Sequence, residues 1–441
     1  MFGYSMVKMV RENAHKLDQP LRTKILEMYK PFKWVPCFFH KWMEQLIKRS
    51  KKISVIVEFQ ENSFQEGLQE INHIVEQHKR CKVRKNFSIA CCCSLDVTPT
   101  SLEKIISNCQ HVKKVYLNRE VKALLNVAVP SANAQNIVRN GKKLTGKGVT
   151  VAVLDTGIYP HKDLSGRIVD FVDFINQRTV PYDDNGHGTH CAGDIAANGS
   201  SSSGKYRGPA PEANLIGVKV LDKRGSGLME TVMQGVEWCI RYNETNQSNK
   251  IRIINLSLGS TPEPFPKEND DPMVRIVERA WKSGIVVCAA AGNEGSAPRT
   301  ISSPGISDRI ITVGASDDHN TIDRKDDNVA NFSSRGATIY GVTKPDLLAP
   351  GVNIISLRAP KSYLDRTQKS SRVGTDYFML SGTSMATPIC AGVCALILQR
   401  NPNINPDEVK KLLKNGADLW RNVDPNTYGA GHLNAENSVP K

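Results

Sequence analysis

The run Val149-Thr150-Val151-Ala152-Val153-Leu154 constrains this chain most, because it is β-prone throughout and shows no alternation of apolar and polar residues. A strand reads that way when both of its faces are covered, as in a parallel sheet flanked by helices. Ile285 to Ala291 repeats the pattern. Each run ends in turn residues, Asp155-Thr156-Gly157 and Gly292-Asn293-Glu294-Gly295, so Asp155 and Asn293 are expected at carboxyl ends of strands. Open α/β sheets gather their ligand sites there. The apolar stretch Ala386 to Leu398 is too long for a strand and is expected as a buried helix. The expectation is an α/β domain with a doubly wound parallel sheet.

The chemistry-bearing residues stand on these elements. Ser384, in Gly382-Thr383-Ser384-Met385-Ala386-Thr387-Pro388, falls at the start of the buried helix, where unpaired amides and the helix dipole favour a developing oxyanion. His187 lies in Gly186-His187-Gly188-Thr189-His190, a glycine-loosened loop passing into a helix. A serine hydroxyl is a poor nucleophile at neutral pH and needs a nearby base, itself oriented by a carboxylate. Ser384, His187 and Asp155 supply the three parts, and the Asn293 amide supplies a neutral donor for an oxyanion. Singly, an aspartate after a strand is usually a cap or a solvated turn, and a glycine-flanked histidine a loop residue. Four such residues in this order form a catalytic set.

These motifs resemble those of the subtilisin-like serine proteases over roughly Thr145 to Asn434, with further matches at Phe332-Ser333-Ser334-Arg335-Gly336 and Lys344 to Gly351. The order Asp, His, Ser is the known subtilisin order. The resemblance implies that Ser384 attacks a peptide carbonyl, His187 carries the proton, Asp155 fixes the tautomer, and Asn293 with the Ser384 amide holds the oxyanion. It makes His190 structural. It also implies a polypeptide substrate lying as an extended strand between Gly225-Ser226-Gly227 and Ser257-Leu258-Gly259. The pocket for the residue before the scissile bond (P1) would be walled by Leu258-Gly259 and Ala290-Ala291-Gly292, with a floor near Ile301-Ser302-Ser303. None of these segments carries an acidic residue, so a broad or apolar preference is expected. The chemistry requires no cofactor. A structural calcium ion is left unassigned: Asp163 matches one family ligand, but the Ser-rich stretch Gly199 to Gly204 replaces the rest of that loop.

Ahead of the catalytic domain, placed at 148–441, the chain is expected to divide three ways. Residues 1–50 form a basic, aromatic extension, whose Phe38, Phe39, Trp42, Leu46 and Ile47 share one helical face expected to pack on the protein's own domains, with a membrane-surface helix as the alternative. Residues 51–126 read as strand, helix, strand region, helix and strand, a βαββαβ-like unit with one hairpin strand unplaced. That unit resembles the prodomains of subtilases, which chaperone folding and inhibit through a C-terminal tail, here Asn118 to Asn126. Residues 127–147 are expected as an exposed connector with a short helix.

Charge and cysteines narrow the setting. Residues 1–125 hold 22 Lys and Arg against 12 Asp and Glu, so most of the net charge of +14 lies there. No helix-turn-helix, zinc-finger or aromatic-basic motif accompanies it, and a diffuse basic surface is expected, not nucleic-acid binding. The 11 cysteines include three in a row, Cys91-Cys92-Cys93, without zinc-ligand spacing, which suits reduced thiols. No apolar run is long enough to span a membrane and Met1 to Asn13 lacks a secretory pattern, so a cytoplasmic location is expected. The function expected is a self-processing serine endopeptidase. The alternatives are a self-processing protease that stays inhibited by its prodomain, and an inactive binding module on the same fold.

Overall fold

The computed structural model describes residues 4–29, 32, 39–60, 62–78, 80–87, 91–117, 125–419 and 424–441. The chain separates into two units, Met1–Val121 and Lys122–Lys441.

In the first unit, helices α1 (Ser5–Glu12), α2 (Gln19–Glu27) and α3 (His40–Ser50) precede β1 (Ile53–Phe59), α4 (Phe64–Glu76), β2 (Lys82–Phe87), β3 (Cys92–Val97), α5 (Pro99–Asn108) and β4 (Val112–Leu117). β1 buries every second residue, the period-two pattern of a strand with one face on a core. The sheet order is β2-β3-β1-β4, with all pairs antiparallel. The hairpin strand left unplaced by the sequence is Lys82–Phe87. Its basic residues suit an edge strand, where charge discourages further pairing.

Residues 1–50 are not a separate extension. Met6, Met9, Leu21 and Ile25 share one core with Val55, Val57, Leu95 and Ile105, and the backbones of Lys16 and Asp18 pair with Val115. The apolar face of α3 splits: Met43 and Ile47 pack on this core, whereas Trp42 and Leu46 are 65% and 50% exposed. Phe38 and most of the tail, residues 118–124, lie outside the described residues.

In the second unit, α6 (Leu125–Ser131) leads into a small ribbon of β5 (Val138–Arg139) and β6 (Lys142–Lys143). The expectation of an exposed connector over 127–147 is corrected here. Val127, Ala128, Val129, Ala132 and Ile137 are buried in the main core, and the Arg139 guanidinium donates to the carbonyls of Glu436, Val439 and Pro440. These residues are built into the domain because their apolar side chains cover it.

The main sheet contains β7 (Thr150–Asp155), β8 (Ile168–Asp173), β9 (Asn214–Lys219), β10 (Ile251–Leu256), β11 (Val286–Ala290), β12 (Ile311–Asp317), β13 (Asn328–Val329) and β14 (Leu347–Pro350). The order is β13-β12-β11-β10-β7-β9-β8 with β14 also on β12, and only β13 runs antiparallel. Every residue of β7 and β11 is buried, so both sheet faces need cover. Helices α7 (His187–Ala196) and α11 (Thr383–Arg400) pack together against the sheet, and α8 (Met229–Thr245) with α9 (Pro272–Lys282) form a second pair. A smaller sheet of β15 (Ile354–Leu357), β16 (Arg372–Val373) and β17 (Tyr377–Leu380), with the short helix α10 (Tyr363–Thr367), completes the unit. From β7 the chain fills one side of the sheet with β8 and β9, then crosses to place β10 on the other side of β7. The cleft at that reversal, at the strands' carboxyl ends, is where such folds bind ligands.

Candidate active site

Asp155 is the last residue of β7 and fully buried, and the Thr156 amide donates to its Oδ1 at 2.7 Å. His187 opens α7, and its Nδ1 lies 2.8 and 2.9 Å from the two Asp155 oxygens. Gly188 permits this approach, since a Cβ there would collide with the Gly157 carbonyl and stand 3.0 Å from the Asp155 Cβ. The turn before α7 is held by Asp183, which accepts from Thr156 Oγ1, the amides of Asn185, Gly186 and Thr189, and Thr189 Oγ1. Sequence reasoning missed Asp183 because Pro181 to Asn185 reads as a solvated turn. With Nδ1 committed to Asp155, Nε2 is the nitrogen left for the cleft, where the ring is 22% exposed. Burial is the largest single influence and works against the imidazolium, but the charge and hydrogen bond of Asp155, together with Cys191, outweigh it and hold His187 well above its ordinary 6.5. Cys191 lies one turn on, its sulfur 3.8 Å from His187 Nδ1. Burial pushes that thiol up to about 11, so it stays protonated at neutral pH.

Ser384 occupies the first turn of α11. Pro388, one turn later, has no N–H to return to the Ser384 carbonyl. That carbonyl is instead capped by Ser257 Oγ at 2.8 Å and the Cys191 thiol at 3.4 Å, and Asn255 Nδ2 donates to Ser257 Oγ at 2.9 Å. The Ser384 hydroxyl donates to the Ser257 carbonyl at 3.0 Å. Asn293, beyond β11, accepts through Oδ1 from the Thr383 amide at 2.9 Å and the Thr383 hydroxyl at 3.1 Å. Its oxygen thus faces the helix, and its NH₂ end is left to donate beside the Ser384 amide.

A cleft of about 620 Å³ joins His187, Asn293 and Ser384 with Gly225, Ser226, Gly227, Ser257, Leu258 and Gly259. Farther along, Leu221, Met229, Val232 and Met273 line it; no sequence signal separates these from core residues. Ala290, Ala291 and Gly292 are not among the lining residues, and the two alanines are sealed in the core. Ser302 is buried between the two expected glycine walls: a Cβ on Gly259 would stand 2.9 Å from its Cβ, and one on Gly292 would collide with its hydroxyl.

His190 ties α7 to the smaller sheet, its ring nitrogens 3.0 Å from Asp194 Oδ2 and 3.1 Å from the carbonyls of Ile354 and Phe378. Asp163 does not fit a calcium ligand here. Its Oδ1 accepts from Ser200 Oγ and the Ser201 amide, each at 2.9 Å, and its Oδ2 from Tyr377 OH at 2.7 Å. The Ser-rich segment thereby supplies the hydrogen bonds that satisfy this carboxylate.

A buried aspartate holding an imidazole, and a serine at a helix N-terminus across the same cleft of a parallel sheet, define a serine hydrolase. The chain belongs to the subtilase family, whose family model matches residues 146–431, and it is a serine protease. It is 62% identical to serine protease AprX of Bacillus subtilis (strain 168) over 440 residues, covering 100% of both chains. It is 38% identical to subtilisin Savinase of Lederbergia lenta over 297 residues, 67% of this chain and 93% of that protein. Among solved structures, a cold-adapted subtilisin-like serine proteinase matches with a TM-score of 0.53 and 29% identity, covering 71% of this chain and 99% of that one. The S41 psychrophilic protease matches with a TM-score of 0.55 and 32% identity, covering 66% and 92%. Among the described residues no helix is long and apolar enough to cross a membrane.

Proposed function

We propose that Asp155, His187 and Ser384 are the triad of a serine endopeptidase acting on polypeptides, with Asn293 and the Ser384 amide as its oxyanion site. The observation that carries this reading is the bond from His187 Nδ1 to both Asp155 oxygens in the cleft that also holds Ser384. The Ser384 hydroxyl, now on the Ser257 carbonyl, turns about its Cα–Cβ bond toward Nε2 as substrate enters, consistent with the way catalytic hydrogen bonds tighten in the complex. His187 takes the proton as the Ser384 oxygen attacks, then returns it to the leaving amine. Asn293 donates to the oxygen that becomes negative.

The test of the oxyanion site is Asn293→Leu. It should lower kcat by about 100- to 1,000-fold with KM nearly unchanged, a range transferred from the equivalent asparagine of subtilisin. A raised KM at normal kcat would place Asn293 in ground-state binding instead.

Ser302, packed between Gly292 and the cleft-lining Gly259, is proposed as the floor of the P1 pocket, so small and medium apolar side chains should be preferred over Phe and Tyr. Ser302→Gly should raise kcat/KM for a Phe substrate relative to an Ala one by about tenfold, the scale of a methylene-sized change in a pocket. An unchanged ratio on paired peptide substrates would move the pocket floor elsewhere.

The first unit is proposed to act as an inhibitory prodomain and partner of the protease, released by self-cleavage. Val127 to Val129 belong to the core of the second unit, so a cut between Lys122 and Val127 leaves that core whole. A cytoplasmic site of action is proposed because all ten described cysteines are free thiols, as a reducing compartment maintains them. No metal step enters the chemistry.

A further inference from the structure

The protease chemistry leaves three buried thiols without a task. Cys288 lies in the middle of β11, and Cys390 and Cys394 are four residues apart on α11, so both leave the same face of the helix. All three are fully buried, and all are free thiols. The sulfurs of Cys288 and Cys394 are 3.8 Å apart, and the three sulfurs lie within 4.8 Å of one another. No further His, Cys, Asp or Glu among the described residues joins them. A core cysteine ordinarily packs as a small hydrophobe with no need of another. Here three of the second unit's five cysteines meet at one point of a strand–helix contact.

We propose that Cys288, Cys390 and Cys394 form a binding site for one soft monovalent metal ion of the cuprous class. Donor type comes first. Three sulfurs without an oxygen or nitrogen donor select soft ions, cuprous copper among them, over magnesium, calcium or manganese. Number comes next, because structural zinc takes four protein ligands and this cluster offers three. Spacing agrees: a metal–sulfur bond of about 2.3 Å places the sulfurs of a trigonal site about 4.0 Å apart, against 3.8 Å for Cys288 and Cys394 and no more than 4.8 Å for the other pairs. A disulfide would need these sulfurs to close to about 2.05 Å. The sulfurs bind as thiolates, so loading releases protons to solvent. The ion would tie β11, which leads to Asn293, to α11, which begins beside Ser384.

The test uses the full chain carrying Ser384→Ala to prevent self-digestion, with Cys91→Ser, Cys92→Ser and Cys191→Ala added to remove competing thiols. Cuprous ion is supplied anaerobically with ascorbate and a competing chelator, both to the native protein and during refolding, since the cluster is buried. One equivalent should be retained in at least one preparation, and X-ray absorption should show three sulfurs around copper. Cys288→Ala and Cys394→Ala, each checked for folding by circular dichroism, should each lose the retained equivalent. The proposal is overturned by no retained copper in either preparation, by a shell with fewer than three sulfurs, or by full retention in a folded Cys394→Ala protein. The X-ray shell decides the matter even where both alanine variants fail to fold.

Discussion

Ser384→Ala should lower kcat by about a million-fold, a magnitude transferred from subtilisin's own serine, and should leave the purified chain uncut at its full 441 residues. The two readouts test different things. Loss of peptide hydrolysis follows from removing the one hydroxyl that sits in the first turn of α11 within the cleft of His187 and Asn293. The fold should survive, because that hydroxyl makes a single hydrogen bond, to the Ser257 carbonyl, while the Ser384 backbone keeps its caps from Ser257 and Cys191. An intact chain tests self-processing: the wild type should yield a mature form beginning between Ala123 and Val127 by mass spectrometry. If the alanine protein, made in a protease-free host, is cut at the same bond, another enzyme makes the cut and self-processing is wrong. If it still reacts with phenylmethylsulfonyl fluoride at a different serine, the nucleophile is misassigned.

The sequence carried the elements of the proposed site better than it carried their supports. Thr150–Asp155 and Thr383–Arg400 were legible because burial on all sides leaves unbroken apolar runs, and each run ends or begins at a proposed catalytic residue. Ser257 was legible only as part of a segment expected to bind the substrate backbone. Its second role, capping the carbonyl that Pro388 leaves unpaired, depends on a contact across 127 positions of sequence that no local pattern encodes. The buried residues of 127–147 were misread because Val127, Ala132 and Ile137 are interspersed with Asn, Gln and Lys, so no period shows which face is covered. Lys82–Phe87 failed for the reverse reason, since an edge strand carries charges that a central strand excludes. The thiol cluster was illegible too: Cys390 and Cys394 share a helix face, but only the parallel sheet brings Cys288 to them.

Asp155→Asn should lower kcat/KM by about 10,000-fold near neutral pH, a magnitude transferred from the matching aspartate of the chymotrypsin-type triad. The cause is the tautomer. The carboxylate accepts from His187 Nδ1 through both oxygens, which leaves Nε2 as the basic nitrogen facing the cleft. An asparagine can turn its NH₂ toward Nδ1, making that nitrogen the acceptor and placing the proton on Nε2, where it blocks the base. Asp155 is fully buried with the Thr156 amide on Oδ1, so the isosteric amide fits with little disturbance of the fold. The pH profile separates this role from a merely structural one. Burial disfavours the charged ring and the Asp155 charge favours it, with a net shift above 6.5. The base must be neutral to act, so in the wild type kcat/KM should rise with pH through a limb that lies above 6.5 and hold in mildly alkaline buffer. Removing the charge leaves burial in control, and the limb of the residual activity should move to lower pH. A variant that loses activity with its limb unmoved would show that Asp155 supports the fold and leaves the charge on His187 to other groups.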